Sequence, residues 1–499
     1  MSLLLFLGFF ALYLFSMLPG VGWSDTARLA LDSYTNNLRF DLVGGHPLHA
    51  LAGRLLLYLP IASFAYRQNL LSAIFGAGGV ALLFLCLRKV RFDILPSITA
   101  SVVFGISHTY WLVSTMNEHY SLGIFLVVLI IFILMQWRSC IQENTLHSTE
   151  WLLFTAIFLF GLALTNDMMP AFCAPAGVVF VLCYGGTKHT KSWKFWSGVI
   201  ISFAIGIFLW LYIYLCLPKI ARPGFGSLLP EFIWAMNWRD SLRSLAQFVI
   251  FLFYQFPLIG FILGLIGIRQ MYLKRRDLFL LTILIFVVDV IFASAYMRQR
   301  QVYIFLPAYL SFAIWVTCGI EWLVLRFSAT LRNRRLAALA ILLAIALPFV
   351  SYPVAPLVCE KLHLPLGEVR TLHWRDNYSY YLWPGKRTEY GAYQYAWNVF
   401  RDVKPDAVVL ADYNPVMPLL YVQRVDGKRQ DIQFALRIDE FYRSGDHTGN
   451  IMRFLDENYG NRPLYLADDY QPYYRTDVIS KKYDIIPEGA LFRIREKRL

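Results

Sequence analysis

The run Leu278–Tyr296, LFLLTILIFVVDVIFASAY, has 19 residues and one charged side chain, that of Asp289. Arginines stand on both sides of this run, with Arg276 before it and Arg298 and Arg300 after it. A helix needs about 17–25 mostly apolar residues to cross the hydrocarbon core of a bilayer. The run is therefore predicted to be a transmembrane helix.

Ten similar runs occupy most of the first 359 residues, so the chain is predicted to be an α-helical polytopic membrane protein with about eleven transmembrane helices. Residues 47–66 are predicted to form an apolar helix that lies in the membrane interface. The ten further runs are Leu3–Leu18, Leu70–Leu87, Ile94–Tyr110, Leu122–Met135, Trp151–Leu164, Ala171–Tyr184, Trp196–Leu217, Leu245–Ile268, Val302–Leu325 and Leu336–Val358.

The composition agrees with a membrane protein. Of the 499 residues, 58% are hydrophobic and only 16% are charged, whereas soluble domains are about 25% charged. This excludes a purely soluble enzyme, a disordered chain and a disulfide-stapled secreted domain. Most of the net charge of +13 falls in the first 359 residues, which indicates topology signals and lipid phosphate, and no nucleic-acid partner.

The distribution of basic residues predicts the orientation. With the amino terminus inside, five short inside loops carry 15 Lys and Arg, while the short outside loops at 107–121 and 165–170 carry none. This is the positive-inside bias. An odd number of spans then places the polar tail outside.

The tail is predicted to be a small extracytoplasmic α/β domain, because short apolar runs alternate with amphipathic ones. We therefore divide the chain into a transmembrane domain, 1–359, and a tail domain, 360–499. The predicted strands are Ala407–Ala411, Asp431–Leu436, Pro463–Ala467 and Leu491–Ile494, and the predicted helices are Tyr390–Val403, Pro415–Arg424 and Gly449–Tyr459.

Acidic residues near a membrane are costly and therefore informative. Asp25 follows the first run on the outside, where its carboxylate could deprotonate an acceptor hydroxyl. The alternative is that Ser24 or Asp25 caps a helix. Glu118 lies in another outside loop, so the two carboxylates could share acid/base or metal-binding work, although a solvated loop glutamate is the simpler interpretation.

Other polar groups give further candidates. Asn166 and Asp167 lie in a tight outside connection, which turn chemistry explains about as well as function does. Arg298 and Arg300 are suited to bind a lipid phosphate, because guanidinium groups match phosphate oxygens; interfacial anchoring is the alternative.

Two histidines and one aspartate in or near apolar segments leave their roles open. His46 and His49 could share one helical face and form a metal pair, but no third ligand is evident. Asp289, within its apolar run, is read as a packed polar contact.

No nucleotide-binding or zinc motif appears, so a donor would come from the bilayer. The rival interpretation is a transporter or lipid flippase with a binding ectodomain. A transporter often has inverted repeats, and no internal symmetry is evident here.

Several segments together resemble the GT-C superfamily, whose members transfer sugars from polyprenyl-phosphate carriers. The closest resemblance is to the transmembrane protein O-mannosyltransferase family and its bacterial relatives. The likeness is dense over about the first 185 residues. The pieces are Gly22–Asp25, Gly45–Leu59, Ala65–Leu71, Trp111–Leu122, Gly161–Asn166, Ala407–Asp412 and Leu420–Gln423.

The sequence departs from that family at three places. The usual Asp-Ser-Gly-Glu becomes Asp25-Thr26-Ala27-Arg28, so the second acid is absent. The usual His-Pro-Pro-Gly-Tyr-Pro-Leu becomes Leu42-Val43-Gly44-Gly45-His46-Pro47-Leu48, and Asp167 stands where the family has histidine. A histidine at position 46 is thus expected to have taken over a polar role.

The resemblance implies an inverting glycosyltransferase that moves a sugar from a polyprenyl-phosphate donor to a hydroxyl of a protein or glycan, on the extracytoplasmic face of a bacterial inner membrane. Asp25 would be the base and Glu118 its catalytic partner, and Arg298 with Arg300 would bind the donor phosphate. A divalent cation is possible but not required by the sequence. Substrate contacts are expected from His46, Tyr120, Asn166 and Asp167.

Overall fold

The computed structural model describes residues 1–38, 45–143, 149–185, 192–216, 238–296, 302–364, 366, 370–435, 447–471 and 473–497. Most of these residues are helical, and a single small sheet lies beyond residue 407.

The first half of the chain is a series of apolar helices connected by short polar segments. Ser63 shows how one of them starts, because its side chain accepts a hydrogen bond from the Tyr66 backbone N–H and so caps α4. The helices are α1 (Ser2–Ser16), α2 (Asp25–Thr35), α3 (Pro47–Leu55), α4 (Phe64–Lys89), α5 (Ile94–Gly105), α6 (His108–Ser114), α7 (Tyr120–Glu143), α8 (Glu150–Leu164) and α9 (Ala174–Tyr184).

The helical part continues to residue 361. Its helices are α10 (Trp193–Gly206), α11 (Phe208–Cys216), α12 (Trp238–Gln255), α13 (Ile259–Lys274), α14 (Arg276–Tyr296), α15 (Leu306–Arg326) and α16 (Leu331–Lys361). Short 3-10 turns cover Leu56–Tyr58, Met169–Cys173 and Val302–Phe305. Helix α15 lies at the centre of the core, since every residue from Leu306 to Ile320 is buried.

Among the described residues, five helical stretches are long and apolar enough to cross a membrane: α4, α7, α14, Val302–Arg326 and α16. The number rises to seven if each of two bent helix pairs is one span, and four shorter apolar helices accompany them. Each of the eleven predicted runs corresponds to one of these elements. The predicted class of polytopic helical membrane protein is confirmed, whereas the number eleven stays a prediction.

Two predicted straight spans are bent. Leu245–Ile268 is divided into α12 and α13, which meet at 109°, because Pro257 at the break has no backbone N–H to continue the helix. Trp196–Leu217 bends by 58° between α10 and α11. At this bend a Cβ on Gly206 would lie 2.3 Å from the Phe158 carbonyl oxygen, so glycine permits the close approach of α8.

The predicted interfacial helix over residues 47–66 is also shorter than expected. Helix α3 and its 3-10 extension end at Tyr58, just before Pro60. Helix α4 then starts at Phe64, so the last predicted residues belong to the following span.

The tail contains a five-stranded sheet in the order β2-β1-β3-β5-β4. Strand β1 is parallel to β2 and β3, and β5 is antiparallel to β3 and β4. The elements are α17 (Asn377–Leu382), α18 (Gly391–Asp402), β1 (Val408–Leu410), α19 (Tyr413–Arg424), β2 (Gln433–Ala435), α20 (His447–Asn458), β3 (Leu464–Leu466), α21 (Thr476–Ile479), β4 (Tyr483–Glu488) and β5 (Leu491–Glu496).

The predicted small α/β tail is confirmed, with one strand more than expected. Strand β4 was missed because its sequence contains Pro487 and alternates weakly. It forms the edge of the sheet, the position where proline is tolerated because one side of the strand needs no hydrogen-bond donors.

The division at residue 360 stays a prediction, and the packing does not follow it closely. The tail core includes Trp23 and Ala27 from the start of the chain, and the Trp23 and Tyr395 rings lie 5.4 Å apart. The tail therefore rests directly on the loop that carries Asp25.

A second contact between the tail and the helices runs through residues 382–387, here called the docking segment. The Tyr254 hydroxyl donates to the Leu382 carbonyl at 2.7 Å, and Thr115 Oγ1 donates to the Pro384 carbonyl at 2.9 Å. The Lys386 backbone N–H donates to the Ser16 carbonyl at 2.6 Å. The docking segment thus joins α12, the end of α6 and the end of α1.

Candidate active site

The two predicted catalytic carboxylates lie close together, one at the start of a helix and the other in a loop. Asp25 is the first residue of α2, and Glu118 lies between α6 and α7. Thr26 Oγ1 donates to Glu118 Oε1 at 3.1 Å, and Asn117 Nδ2 donates to the Thr26 carbonyl at 3.1 Å. These bonds bring together two residues that are far apart in the sequence.

Asp25 is held by side chains from two directions. Its Oδ1 accepts a hydrogen bond from Arg28 Nε at 3.0 Å and another from the Tyr413 hydroxyl at 2.5 Å. The Asp25 side chain is 41% exposed, whereas that of Arg28 is 6% exposed. The carboxylate is therefore both fixed in position and accessible.

The alternative role of Ser24 or Asp25 as a helix cap is not what the geometry shows. Ser24 occupies the N-cap position of α2, but its side chain makes no capping hydrogen bond. Its hydroxyl donates instead to Asn414 Oδ1 in the tail. The hydrogen bonds found for the Asp25 carboxylate come from side chains.

The two carboxyl groups are driven towards opposite protonation states. Desolvation acts to raise the pKa of Asp25, but the Arg28 guanidinium and then the Tyr413 hydroxyl outweigh it and hold that pKa below its usual range. Burial, followed by the negative charge of Asp25, raises the pKa of Glu118 to about 8. At neutral pH Asp25 is thus ionised and Glu118 is mostly protonated, the divergence expected of an acid/base pair.

Arg28 occupies the position where the resembled family has its second acid. In addition to its bond to Asp25, its Nη1 lies 3.8 Å from Asp32 Oδ2, one turn further along α2. The departure from the family motif therefore replaces a negative charge beside Asp25 with a buried positive one.

The tail supplies two of the groups at Asp25. Tyr413 and Asn414 start α19, directly after β1. Asp412 precedes them and, with Asp468 after β3, forms ion pairs with the buried Arg370 guanidinium. Because β1 and β3 are parallel, their carboxyl ends lie at one edge of the sheet, and this edge faces the Asp25 loop.

Three other predicted site residues meet beside the carboxylates. The His46 ring stacks on the His119 ring, with centroids 3.6 Å apart. His119 Nε2 lies 3.5 Å from Asp167 Oδ2. Asn166 connects the loops, since its carbonyl oxygen lies 2.7 Å from His46 Nδ1 and its Nδ2 donates to the His119 carbonyl at 2.9 Å.

The suggested metal pair of His46 and His49 is not formed. His49 Nε2 lies 2.8 Å from Asn117 Oδ1, while His46 is directed to Asn166 and His119. Burial lowers the pKa of His49 to about 4 despite the bond to Asn117. The two histidines lie on one short helix end but in different hydrogen-bond networks.

Tyr120 packs between the histidine cluster and a later part of the chain. Its ring lies 4.0 Å from that of His119 and 5.5 Å from that of Tyr303. Arg298 and Arg300 lie outside the described residues. Asp289 accepts a hydrogen bond from the Ala308 backbone N–H at 3.0 Å, in agreement with a packed polar contact.

Sequence reasoning missed Tyr413, which is 388 residues from Asp25. The available signal was weak. The segment Ala407–Asp412 was part of the family resemblance, and Tyr413 is the next residue, but nothing in the chain indicated which loop it would meet.

Comparison with known proteins places this geometry in context. Residues 38–193 match the family model of the protein O-mannosyl-transferase TMEM260 N-terminal domain. That range includes the Glu118 loop and the histidine cluster, and it begins after Asp25.

The fold resembles those of solved proteins along the whole chain. ArnT from Cupriavidus metallidurans bound to undecaprenyl phosphate is similar with a TM-score of 0.57 and 12% identity, over 99% of this chain and 97% of that chain. Arabinofuranosyltransferase AftD from Mycobacteria gives a TM-score of 0.50 and 12% identity, over 100% of this chain and 40% of that one. At such identities the likeness concerns the fold.

The domain match confirms the predicted resemblance to the transmembrane protein O-mannosyltransferase family over residues 38–193. The fold of the whole chain is similar to that of ArnT. The domain match favours a sugar transferase over the rival interpretation as a transporter.

Proposed function

We propose that the protein transfers a sugar from a polyprenyl-phosphate carrier to a hydroxyl group of a protein or glycan, with inversion at the anomeric carbon. The observation that carries this proposal is the pair formed by Asp25 and Glu118, one ionised and accessible, the other buried and protonated. Two carboxyl groups with divergent pKa values in a membrane glycosyltransferase support proton transfer at this point.

In the proposed step, the acceptor oxygen attacks the anomeric carbon as the bond from that carbon to the phosphate oxygen breaks. The electron pair of that bond leaves with the polyprenyl phosphate, and the acceptor proton passes to Asp25. A positioned base of this kind typically contributes about 10²–10⁴-fold to the rate. Glu118, in its neutral form, donates a hydrogen bond that orients the acceptor.

Arg298 and Arg300 are proposed to bind the donor phosphate as negative charge develops on it. Support comes from Tyr303, a described residue that follows the two arginines in the chain. Its ring packs on that of Tyr120, which is two positions after Glu118. The chain leaving the arginines is thus anchored beside the carboxylates. The solved ArnT structure contains undecaprenyl phosphate, which supports a polyprenyl-phosphate donor here.

We place the reaction on the extracytoplasmic face of a bacterial inner membrane. The support is the positive-inside bias of the loops, which puts the Asp25 loop, the Glu118 loop and the tail on the same outer side. The tail is proposed to select the acceptor, because its residues Tyr413 and Asn414 border Asp25.

Asp25→Asn tests the proposal. Purified protein in lipid nanodiscs is incubated with labelled polyprenyl-phosphate sugars and a cell extract that supplies acceptors. The variant is expected to lose transfer while it still binds the donor, and Asp484→Asn, an exposed acid in β4, is expected to retain both. Full transfer by Asp25→Asn would remove this residue from the mechanism.

The same preparation separates an enzyme from a transporter. In sealed vesicles, labelled sugar that crosses the membrane without a new glycosidic bond would support the transporter. Mild acid releases the sugar from the lipid carrier. Label that stays bound to an acceptor after mild acid treatment would therefore support transfer.

A further inference from the structure

We propose that His46, His119 and Asp167 form a binding site for one divalent transition-metal ion, with Zn²⁺ the ion best matched to the ligands. Each residue offers one ligand atom, and the three atoms lie within 4.8 Å of one another. Imidazole nitrogen and carboxylate oxygen are ordinary zinc ligands, and three protein ligands leave a coordination position for water or substrate. This inference is independent of the proposed transfer reaction.

The distances are close to those that such an ion needs. Ligands at roughly 2.0–2.1 Å from a tetrahedral ion are about 3.3 Å apart. His119 Nε2 and Asp167 Oδ2 are 3.5 Å apart, so this pair is already near the required spacing. The third ligand atom, on His46, lies within 4.8 Å of the other two, so the set is wider there than a bound ion requires and closes by a small shift of the His46 side chain.

The backbone holds two of the ligands by the atoms that would not bind the ion. The Asn166 carbonyl oxygen lies 2.7 Å from His46 Nδ1, so Nδ1 carries the proton and Nε2 has the free electron pair. Asp167 Oδ1 accepts a hydrogen bond from the Met168 backbone N–H at 2.6 Å, so Oδ2 is left for other partners. Metal ligands are commonly oriented by such hydrogen bonds at their remaining atoms.

The His119 imidazole is buried and faces the Asp167 carboxylate. Its side chain is 5% exposed, and among the described residues its Nδ1 finds no hydrogen-bond partner. Buried polar groups are normally paired. The ring is stacked between those of His46 and Tyr120, and its Nε2 faces Asp167 Oδ2, so Nε2 is the atom available to an ion.

Cobalt binding tests the proposal without any sugar donor. The full-length protein, with affinity tag removed and in detergent micelles, is freed of metal by chelation and titrated with Co²⁺, whose visible absorption reports coordination by protein ligands. One equivalent is expected to bind, and Zn²⁺ is expected to displace it. Absence of saturable Co²⁺ absorption would overturn the proposal and leave a His119–Asp167 ion pair as the explanation.

Three variants locate the ion. His119→Gln and Asp167→Asn are each expected to weaken Co²⁺ binding at least 100-fold, more than the roughly 10- to 100-fold typical when only a supporting residue is lost. His49→Gln is the matched control, because this histidine is equally buried nearby but bonds to Asn117, and its affinity is expected to equal that of the unaltered protein. If His119→Gln fails to fold, judged by gel filtration, the size-conserving Asp167→Asn decides alone. Unchanged affinity in Asp167→Asn, or an equal loss in His49→Gln, would refute the assignment.

Discussion

The Tyr413 hydroxyl donates a hydrogen bond to Asp25 Oδ1 at 2.5 Å, although the two residues belong to opposite ends of the chain. Tyr413 starts the first helix after β1, and Asp25 starts the first helix after α1. The tail therefore takes part in the environment of the proposed base. Hydrogen bonds to charged groups contribute about 1.5–3 kcal/mol, so this contact is large enough to affect the reaction.

Tyr413→Phe is expected to lower kcat/KM about 10- to 100-fold, the equivalent of one hydrogen bond to a charged group. The Tyr413 hydroxyl, after Arg28, holds the pKa of Asp25 down. Without it the pKa rises, and the acidic limb of the pH–rate profile moves to higher pH. Tyr393→Phe, an exposed tyrosine of α18, is the control and is expected to leave the profile unchanged. An unmoved acidic limb in Tyr413→Phe would mean that the hydroxyl does not act on the base.

Glu118→Gln is expected to change how stability depends on pH. Burial and Asp25 raise the pKa of Glu118 from 4.5 to about 8, so between these values the folded protein holds a proton that the unfolded chain releases. The free energy of unfolding therefore falls as pH rises through that interval. Glutamine has no proton to lose, so the variant is expected to gain in Tm relative to the unaltered protein at about pH 9 compared with about pH 5.

Thermal unfolding in detergent micelles at both pH values measures this effect. Glu457→Gln, an exposed residue of α20, is expected to show the same pH dependence as the unaltered protein. Parallel Tm curves for Glu118→Gln and the unaltered protein would show that the carboxyl titrates normally.

Arg370→Met is expected to destabilise the tail by about 3–5 kcal/mol, because it leaves the Asp412 and Asp468 carboxylates buried without their counter-ion. The Arg370 side chain is 7% exposed. Since Asp412 precedes Tyr413, transfer activity is expected to fall as well. The rate of proteolysis of the tail in increasing urea measures the loss, with the exposed Arg462→Met as control. A loss below about 1 kcal/mol would assign the pair little net stability.

Much of the fold follows from local patterns. A span such as Leu278–Tyr296 can be recognised because 19 residues with a single charged side chain have few alternatives to a membrane helix. Pro257 marks a position where the helix can break, but the angle of 109° between the two helices depends on the helices that pack around it. Strand β4 was not predicted, because an edge strand need not be continuously apolar and its sequence pattern is therefore weak.

Only part of the candidate site could be predicted from the sequence. Asp25 and Glu118 could be singled out because carboxylates are rare near a membrane, and the topology put their loops on one side. Whether two loops touch is decided by tertiary packing. The stacking of His46 on His119 and the contact of Tyr413 with Asp25 could therefore not be predicted from the sequence. The roles of Asp25, Glu118, Arg298 and Arg300 stay predictions until the variants are measured.

The docking segment has a consequence for how substrates reach Asp25. Lifting the tail away from the helices would break the bonds from Tyr254, Thr115 and the Lys386 amide, at a cost of about 1.5–4.5 kcal/mol for three hydrogen bonds. The docking segment thus holds the tail against the helices, next to the start of α2. We therefore expect substrates of the proposed reaction to reach Asp25 without detachment of the tail.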